Sequence, residues 1–192
     1  MHRTLHGLGQ RHLFADGRSY DRHAGRAFRT LHRRVADDVA AAAPSGGLVL
    51  DAGCGTGLLA AEIAQRRPDL RVHGVDLEQA MVDVAVERAE RAGLADRVTF
   101  TVADLADLPL PAATADLVVS TASMHHWTDV PAIVTALHRV VRPGGPLWIY
   151  DIRWAPSGAV RAAATAAAGR RTARTLVRTG AFPVALFQRL AV

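Results

Sequence analysis

A doubly wound α/β fold, with a mostly parallel sheet and helices on both faces, is predicted by three features of the sequence. Five short apolar runs recur between residues 46 and 151, helical patterns separate them, and a glycine cluster follows the first run. Strands this apolar must be covered on both sides, and crossovers between parallel strands are right-handed. Together these restrict the topology to a doubly wound arrangement.

From the N-terminus, Ala27, Leu31, Val35 and Val39 recur every four residues and predict a helix over Asp21–Ala43, broken by Pro44-Ser45-Gly46-Gly47. Leu48-Val49-Leu50 reads as a buried strand that enters a tight turn at Asp51, and Leu58–Arg66 as the helix after it. Arg71–Asp76 is a second strand, Gln79–Arg91 a helix closed by Gly93, and Arg97–Ala103 a third strand. Ala115–Ser120 is a fourth strand, Asp129–Val141 a helix stopped by Arg142-Pro143-Gly144-Gly145, and Leu147–Asp151 a fifth strand. Residues 158–179, rich in Ala, Arg and Thr, read as helical. After Gly180 only twelve residues follow, room for one strand over Phe182–Val192.

The length of 192 residues suits one packed domain, and 49% of the residues are apolar. No apolar run approaches the roughly 18–20 residues that span a bilayer. The first residues, MHRTLHGLGQRHLF, lack the apolar segment of a signal peptide, so a cytoplasmic location is expected. Cys54 is the single cysteine, which excludes an internal disulfide and makes a cysteine-based metal site implausible. All 23 basic residues are arginine, and they are unevenly placed. Residues 1–34 carry +6, residues 35–150 carry −7 and residues 151–192 carry +6. The basic ends read as solvated helical surfaces, or as a positive rim for an anionic partner.

The turn Asp51-Ala52-Gly53-Cys54-Gly55-Thr56-Gly57 is the most informative stretch. Its glycines let the backbone approach a ligand, and the following helix aims free N–H groups at the same space. A dinucleotide fingerprint would place its third glycine at position 58, which is Leu58; here it falls at Gly57. The lysine of a phosphate-binding loop is absent. Asp51 would repel a pyrophosphate but suits a ligand carrying an ammonium and a sulfonium.

The segment LVLDAGCGTGLLAAEIA resembles the first motif of class I S-adenosylmethionine-dependent methyltransferases, in their small-molecule, ubiquinone- and menaquinone-biosynthesis-like branch. VHGVDLEQAMVDVA, TVADLADLP, ADLVVSTASMHHWTD and LHRVVRPGGPLWIYD match in order and spacing, so the resemblance covers roughly residues 46–151. It implies a Rossmann-like fold whose C-terminal strand pair is expected to be left incomplete by the short tail. A pared-down fold, an incomplete chain or a partner at the sheet edge would each account for that. It divides the chain into an N-terminal helical lid or substrate-side segment, residues 1–45, and an S-adenosylmethionine-binding domain, residues 46–192.

The same resemblance implies roles for individual residues. Asp76 would accept hydrogen bonds from both ribose hydroxyls, as a carboxylate with two acceptor oxygens can. Leu77 would pack on adenine with help from Met81; Asp104 would accept from the adenine amino group, and Leu105 would offer its backbone N–H to the ring. Ser120 and Thr121 would approach the methionine portion of S-adenosyl-L-methionine at the carboxyl end of the fourth strand. Tyr20, in the lid, would touch the ligand or simply pack. With Asp51, Gly53, Cys54, Gly55, Thr56 and Gly57 these make up the expected cofactor site. Cys54 reads as a small residue filling the turn, with no adjacent base to make it a nucleophile.

His126 and then His125, within Met124-His125-His126-Trp127, are the candidates for a general base or substrate-orienting group. Adjacent side chains diverge and no convergent third ligand is evident, so no metal is expected. The implied reaction is methyl transfer to a small molecule, with oxygen slightly favoured over carbon or nitrogen. Arg18, Arg22, Arg26, Arg153, Arg161, Arg170, Arg171 and Arg174 incline the acceptor toward an anion. The alternatives are an S-adenosylmethionine-binding protein that does not methylate and, disfavoured by the lack of an Asn/Asp-Pro-Pro-Tyr type motif, a nucleic-acid methyltransferase. A nicotinamide-dependent oxidoreductase is opposed by the glycine spacing. The expected partners are a small-molecule substrate and no nucleic acid, in a monomer or homodimer with no transmembrane segment.

Overall fold

The computed structural model describes residues 17–155, 157–169, 172–179 and 186–192, and the backbone alone for residues 17–27 and Ala168. In chain order the elements are α1 (Gly17–Ala42), β1 (Leu48–Ala52), α2 (Leu58–Arg66), β2 (Arg71–Asp76), α3 (Gln79–Arg91) and β3 (Val98–Val102). Then follow β4 (Leu117–Thr121), α4 (Val130–Val140), β5 (Leu147–Ile152), α5 (Ser157–Ala168), β6 (Ala173–Val177) and β7 (Phe187–Ala191). Short 3-10 turns occupy Leu105–Asp107 and Met124–His126.

One seven-stranded sheet runs β3-β2-β1-β4-β5-β7-β6. The five strands from β3 to β5 are parallel, while β7 is antiparallel to both β5 and β6. Side chains alternate across each strand, so β1 sends Val49 to one core and Leu50 to the other. The first core joins the sheet to Leu31, Val35, Ala36 and Val39 of α1 and to α2. The second joins it to Ile133, Ala136, Leu137 and Val140 of α4, with Val160 and Ala164 of α5 in a neighbouring cluster. β1 is fully or nearly fully buried along Val49–Ala52, as a central strand covered on both faces must be. The strand order reverses between β1 and β4, which opens a crevice at their carboxyl ends.

Local signals set several boundaries. Asp129 caps α4 by accepting from the Ala132 N–H at 3.1 Å, so that helix starts one residue later than its pattern suggests. Ala115 leaves β4 and bridges Val141 instead.

The expected helix over residues 158–179 is corrected. α5 stops at Ala168, Gly169 adopts a left-handed φ of +63°, and Ala173–Val177 forms β6. The expectation of an incomplete C-terminal strand pair is corrected with it. Both strands are present, in register from Ala173 opposite Ala191 to Val177 opposite Phe187. β6 is fixed by backbone pairing with β7 rather than by its own side-chain periodicity, which is why composition misread it. Gln188 of β7, fully buried, donates to the Ile152 and Ala155 carbonyls at 3.1 Å and accepts from Arg174 Nε at 2.6 Å. The pair is thereby clipped to the end of β5.

Candidate active site

β1 delivers its chain into a turn where Gly53, Gly55 and Gly57 all have positive φ, at +75°, +52° and +72°. These backbone angles disfavour any residue with a Cβ. The three glycines face different surroundings. A Cβ on Gly53 would lie 2.2 Å from Ser123 Oγ, and one on Gly57 2.9 Å from both Ala85 Cβ and Phe100 Cζ. A Cβ on Gly55 would meet nothing within 4 Å, so this glycine fronts open space. Gly53 thus locks the turn to the loop after β4, Gly57 seats it against α3 and β3, and Gly55 leaves a cradle.

Asp51, at the strand end, is 1% exposed and its Oδ2 has no hydrogen-bond partner. Burial foremost, and then the charge of Asp76, push its carboxyl up to about 7, against a smaller opposing pull from the Ala60 N–H. A carboxyl held this way gains most from a cation. Asp76, half-buried at the end of β2, is oriented by two backbone donors: the Gly55 N–H reaches Oδ2 at 2.7 Å and the Glu78 N–H reaches Oδ1 at 3.1 Å. Each oxygen retains a lone pair for a further donor, the requirement for binding a diol.

Beside Asp76, Leu77 is 63% exposed while Met81 is buried. Leu77 offers an apolar face at the strand end, and Met81 belongs to the packing beneath. Asp104 is exposed and caps the turn at Leu105–Asp107 by accepting from the Ala106 N–H at 2.8 Å. Leu105 is buried in the second core. Ser120 and Thr121 are buried at the end of β4, and neither hydroxyl has a hydrogen-bond partner. A hydroxyl can both donate and accept, so each has hydrogen-bonding capacity that the protein does not use. Thr56 is buried, with its carbonyl accepting from Arg88 Nε at 2.8 Å. Burial, and behind it the charges of Asp51 and Asp76, raise the Cys54 thiol well above its ordinary range. The thiol stays protonated and is no nucleophile. The Tyr20 side chain lies outside the described residues.

The loop after β4 carries the two histidines. Its anchor is Met124, buried against α4 and α5. Ser123 ties it further: its carbonyl accepts the His126 N–H at 2.9 Å and its Oγ accepts Trp127 Nε1 at 3.1 Å. His125 Nδ1 meets Asp151 Oδ1 at 2.9 Å and Oδ2 at 3.1 Å, and the His125 backbone N–H donates to Oδ2 at 3.1 Å. The two imidazoles lie with centroids 4.0 Å apart, tilted by 46°. Burial first, then the neighbouring His125, lower the His126 pKa, against weaker opposing effects of Asp151 and Asp76.

Sequence reasoning did not single out Asp151 or Ser123 as site residues. The signal for Asp151 was its place as the acid closing the fifth apolar run. For Ser123 there was none beyond its proximity to the histidines. Among the described residues no group of three metal-ligating side chains occurs, and no helix is long and apolar enough to cross a membrane. Of the arginines in residues 151–192, Arg174 is held by Gln188 and by the Arg153 carbonyl at 2.8 Å. The side chains of Arg18, Arg22 and Arg26, and Arg170 and Arg171, lie outside the described residues.

The methyltransferase domain family model matches residues 49–145, just over half of the chain. The 27-O-demethylrifamycin SV methyltransferase of Amycolatopsis mediterranei is 38% identical over 128 residues, covering 66% of this chain and 47% of that protein. The ubiquinone biosynthesis O-methyltransferase of Methylocella silvestris is 30% identical over 172 residues, 80% of this chain and 59% of that one. The chain spans about half the length of these curated relatives. Among solved structures, the cyclase SpnF superimposes with a TM-score of 0.63 at 27% identity, over 70% of this chain and 57% of that one. With the glycine turn, the acid closing β2 and the 3-2-1-4-5-7-6 sheet all in place, the chain belongs to the methyltransferase domain family, among the class I S-adenosylmethionine-dependent methyltransferases.

Proposed function

We propose that the protein binds S-adenosyl-L-methionine at the carboxyl ends of β1, β2 and β4 and transfers its methyl group to a small-molecule acceptor, with oxygen the favoured atom. The observation that carries this reading is the unpaired, buried Oδ2 of Asp51 beside the open face of Gly55. A buried carboxylate with one oxygen left without a partner is costly unless a cationic ligand completes it. The oriented carboxylate of Asp76 would hold the ribose, Leu77 the adenine, and the Ser120 and Thr121 region the amino-acid portion. Gly53, Cys54, Thr56 and Gly57 would shape the turn, with Asp104 and Leu105 at the adenine edge. The bound group supplies an electrophilic methyl carbon on a sulfonium. The chain's own contribution is alignment and exclusion of water.

The oxygen preference draws on relatives whose names describe O-methylation and small natural products. Calorimetry with S-adenosylhomocysteine, followed by radiolabelled methyl transfer to a panel of phenols, acids and amines, tests the proposal. Absence of any affinity for the product cofactor sinks it.

A second reading, a binding protein that does not methylate, is favoured by the likeness to a structure described as a cyclase. Affinity for the cofactor with no transfer to any member of the panel would select it. Transfer to one member removes it.

A further inference from the structure

We propose that the corner built by the β5–α5 turn and the β6–β7 edge docks on an anionic membrane surface, with Trp154, Leu176 and Leu186 entering the headgroup layer. Of the six large apolar side chains exposed among the described residues, these three lie at this one corner. Trp154 is 67% exposed, Leu176 50% and Leu186 38%. Hydrogen bonds hold the three segments together. The Arg153 N–H donates to the Leu186 carbonyl at 2.9 Å, and Gln188, which pairs with Leu176, donates to the Ala155 carbonyl at 3.1 Å. A cluster of exposed apolar side chains marks an interaction surface, where a single one would not. β6 ends the sheet, so no further strand covers this side among the described residues.

Charge selects the occupant. Arg153 adjoins Trp154, Arg174 and Arg178 stand two residues to either side of Leu176, and all three are exposed. Arg174 is bonded to a neutral amide and a carbonyl, and Arg178 has no ion pair among the described residues, so neither charge is cancelled. Residues 152–192 contain seven arginines and no Asp or Glu. A second copy would set like charges against one another across a two-fold axis, and arginines along an edge strand deter an added strand.

A nucleic acid would satisfy the arginines but leave the leucines without an apolar partner. A bilayer surface bearing acidic lipids answers both groups. Its phosphates meet the guanidiniums, and Trp and Leu settle at the boundary of the acyl chains. The corner also lies at the carboxyl ends of β5 and β6, the end of the sheet where the crevice opens. Docking there brings the crevice toward the lipid.

The test sediments the full chain with vesicles of phosphatidylcholine, or of phosphatidylcholine mixed equally with phosphatidylglycerol. The expected result is binding to the anionic vesicles only, weakening as salt rises from about 0.05 M to 0.5 M, with a blue shift of tryptophan emission. Trp154→Phe should bind within about threefold of the wild type yet lose the blue shift, and Trp154→Glu should not bind. Arg153→Gln and Arg178→Gln should each weaken binding about fivefold. All four change exposed side chains and should keep the wild-type unfolding midpoint. No binding to anionic vesicles, equal binding to both kinds, or a blue shift that survives in Trp154→Phe overturns the proposal. Retention on DNA without vesicle binding overturns it too, and assigns the corner to a different polyanion.

Discussion

Gly53 and Ser123 are packed so closely that a single methyl group cannot be added between them. A Cβ on Gly53 would sit 2.2 Å from Ser123 Oγ and 2.7 Å from Ser123 Cβ. The glycine turn and the histidine loop come from different strands, and this contact sets their spacing. Gly53→Ala combines that clash with a φ of +75° and is expected to cost about 3 kcal/mol in urea unfolding. Adding Ser123→Gly should recover the steric part and leave the backbone strain. Gly55→Ala, with no neighbour within 4 Å, should cost only about 1 kcal/mol of stability yet sharply reduce S-adenosylhomocysteine affinity. Equal effects of the two alanines on stability would contradict this division of roles.

Asp76 supports the turn and would bind the ribose with the same carboxylate. Asp76→Ala releases the Gly55 and Glu78 N–H groups and would remove the two charge-assisted bonds proposed to the ribose. The expected loss of S-adenosylhomocysteine affinity is about a hundredfold or more. Calorimetry on Asp76→Ala and Asp76→Asn measures it, and the amide, which keeps one acceptor, should fall between alanine and wild type.

Asp51 is expected to make both stability and binding depend on pH. Its folded carboxyl holds its proton up to about 7, against an ordinary value of 3.8. Between those values the folded state binds more protons than the unfolded one, so this group's contribution to stability declines as pH rises and has gone above about 7. Binding of a cation runs the other way, because it needs the ionised carboxylate. S-adenosylhomocysteine should bind about tenfold more tightly at pH 8 than at pH 6. Asp51→Asn should bind weakly with little pH dependence, and its ligand-free form should lose less stability on going from pH 5 to pH 8. A pH-independent wild-type affinity would count against a cation at Asp51.

Tyr150 provides the control in which stability and binding separate. Its hydroxyl donates to Asp38 Oδ2 at 2.8 Å, joining β5 to α1, while burial raises its own ionisation. Tyr150→Phe removes a hydrogen bond to a charged group and should cost about 2 kcal/mol in thermal or urea unfolding. Affinity for S-adenosylhomocysteine should be unchanged, since this side chain points to the α1 side of the sheet.

Much of the central architecture was legible because it is encoded locally. Val49 and Leu50 are apolar on consecutive positions because a central strand is covered on both faces, and that shows as an uninterrupted run. The boundaries of α2, β2 and α3 follow from local punctuation, and the glycines at 53, 55 and 57 were identifiable because positive φ selects glycine directly. Asp51 and Asp76 could be marked as site residues because their place is the end of a strand, which the run itself defines.

Other features depend on residues far apart in the chain. β6 exists because β7 pairs with it, and Ala173–Val177 has no pattern that distinguishes a strand from a helix. Asp151 meets His125 across 26 residues, a pairing that follows from β5 lying beside β4. The raised carboxyl of Asp51 reflects burial under several elements at once and the charge of Asp76. By itself, the sequence determined the periodicities, the punctuation and the position of the glycine turn, all set by neighbours along the chain. The tertiary structure alone decided which histidine is tied to a carboxylate, which glycine faces open space and which buried acid keeps one oxygen without a partner. Those depend on burial and on distances through space.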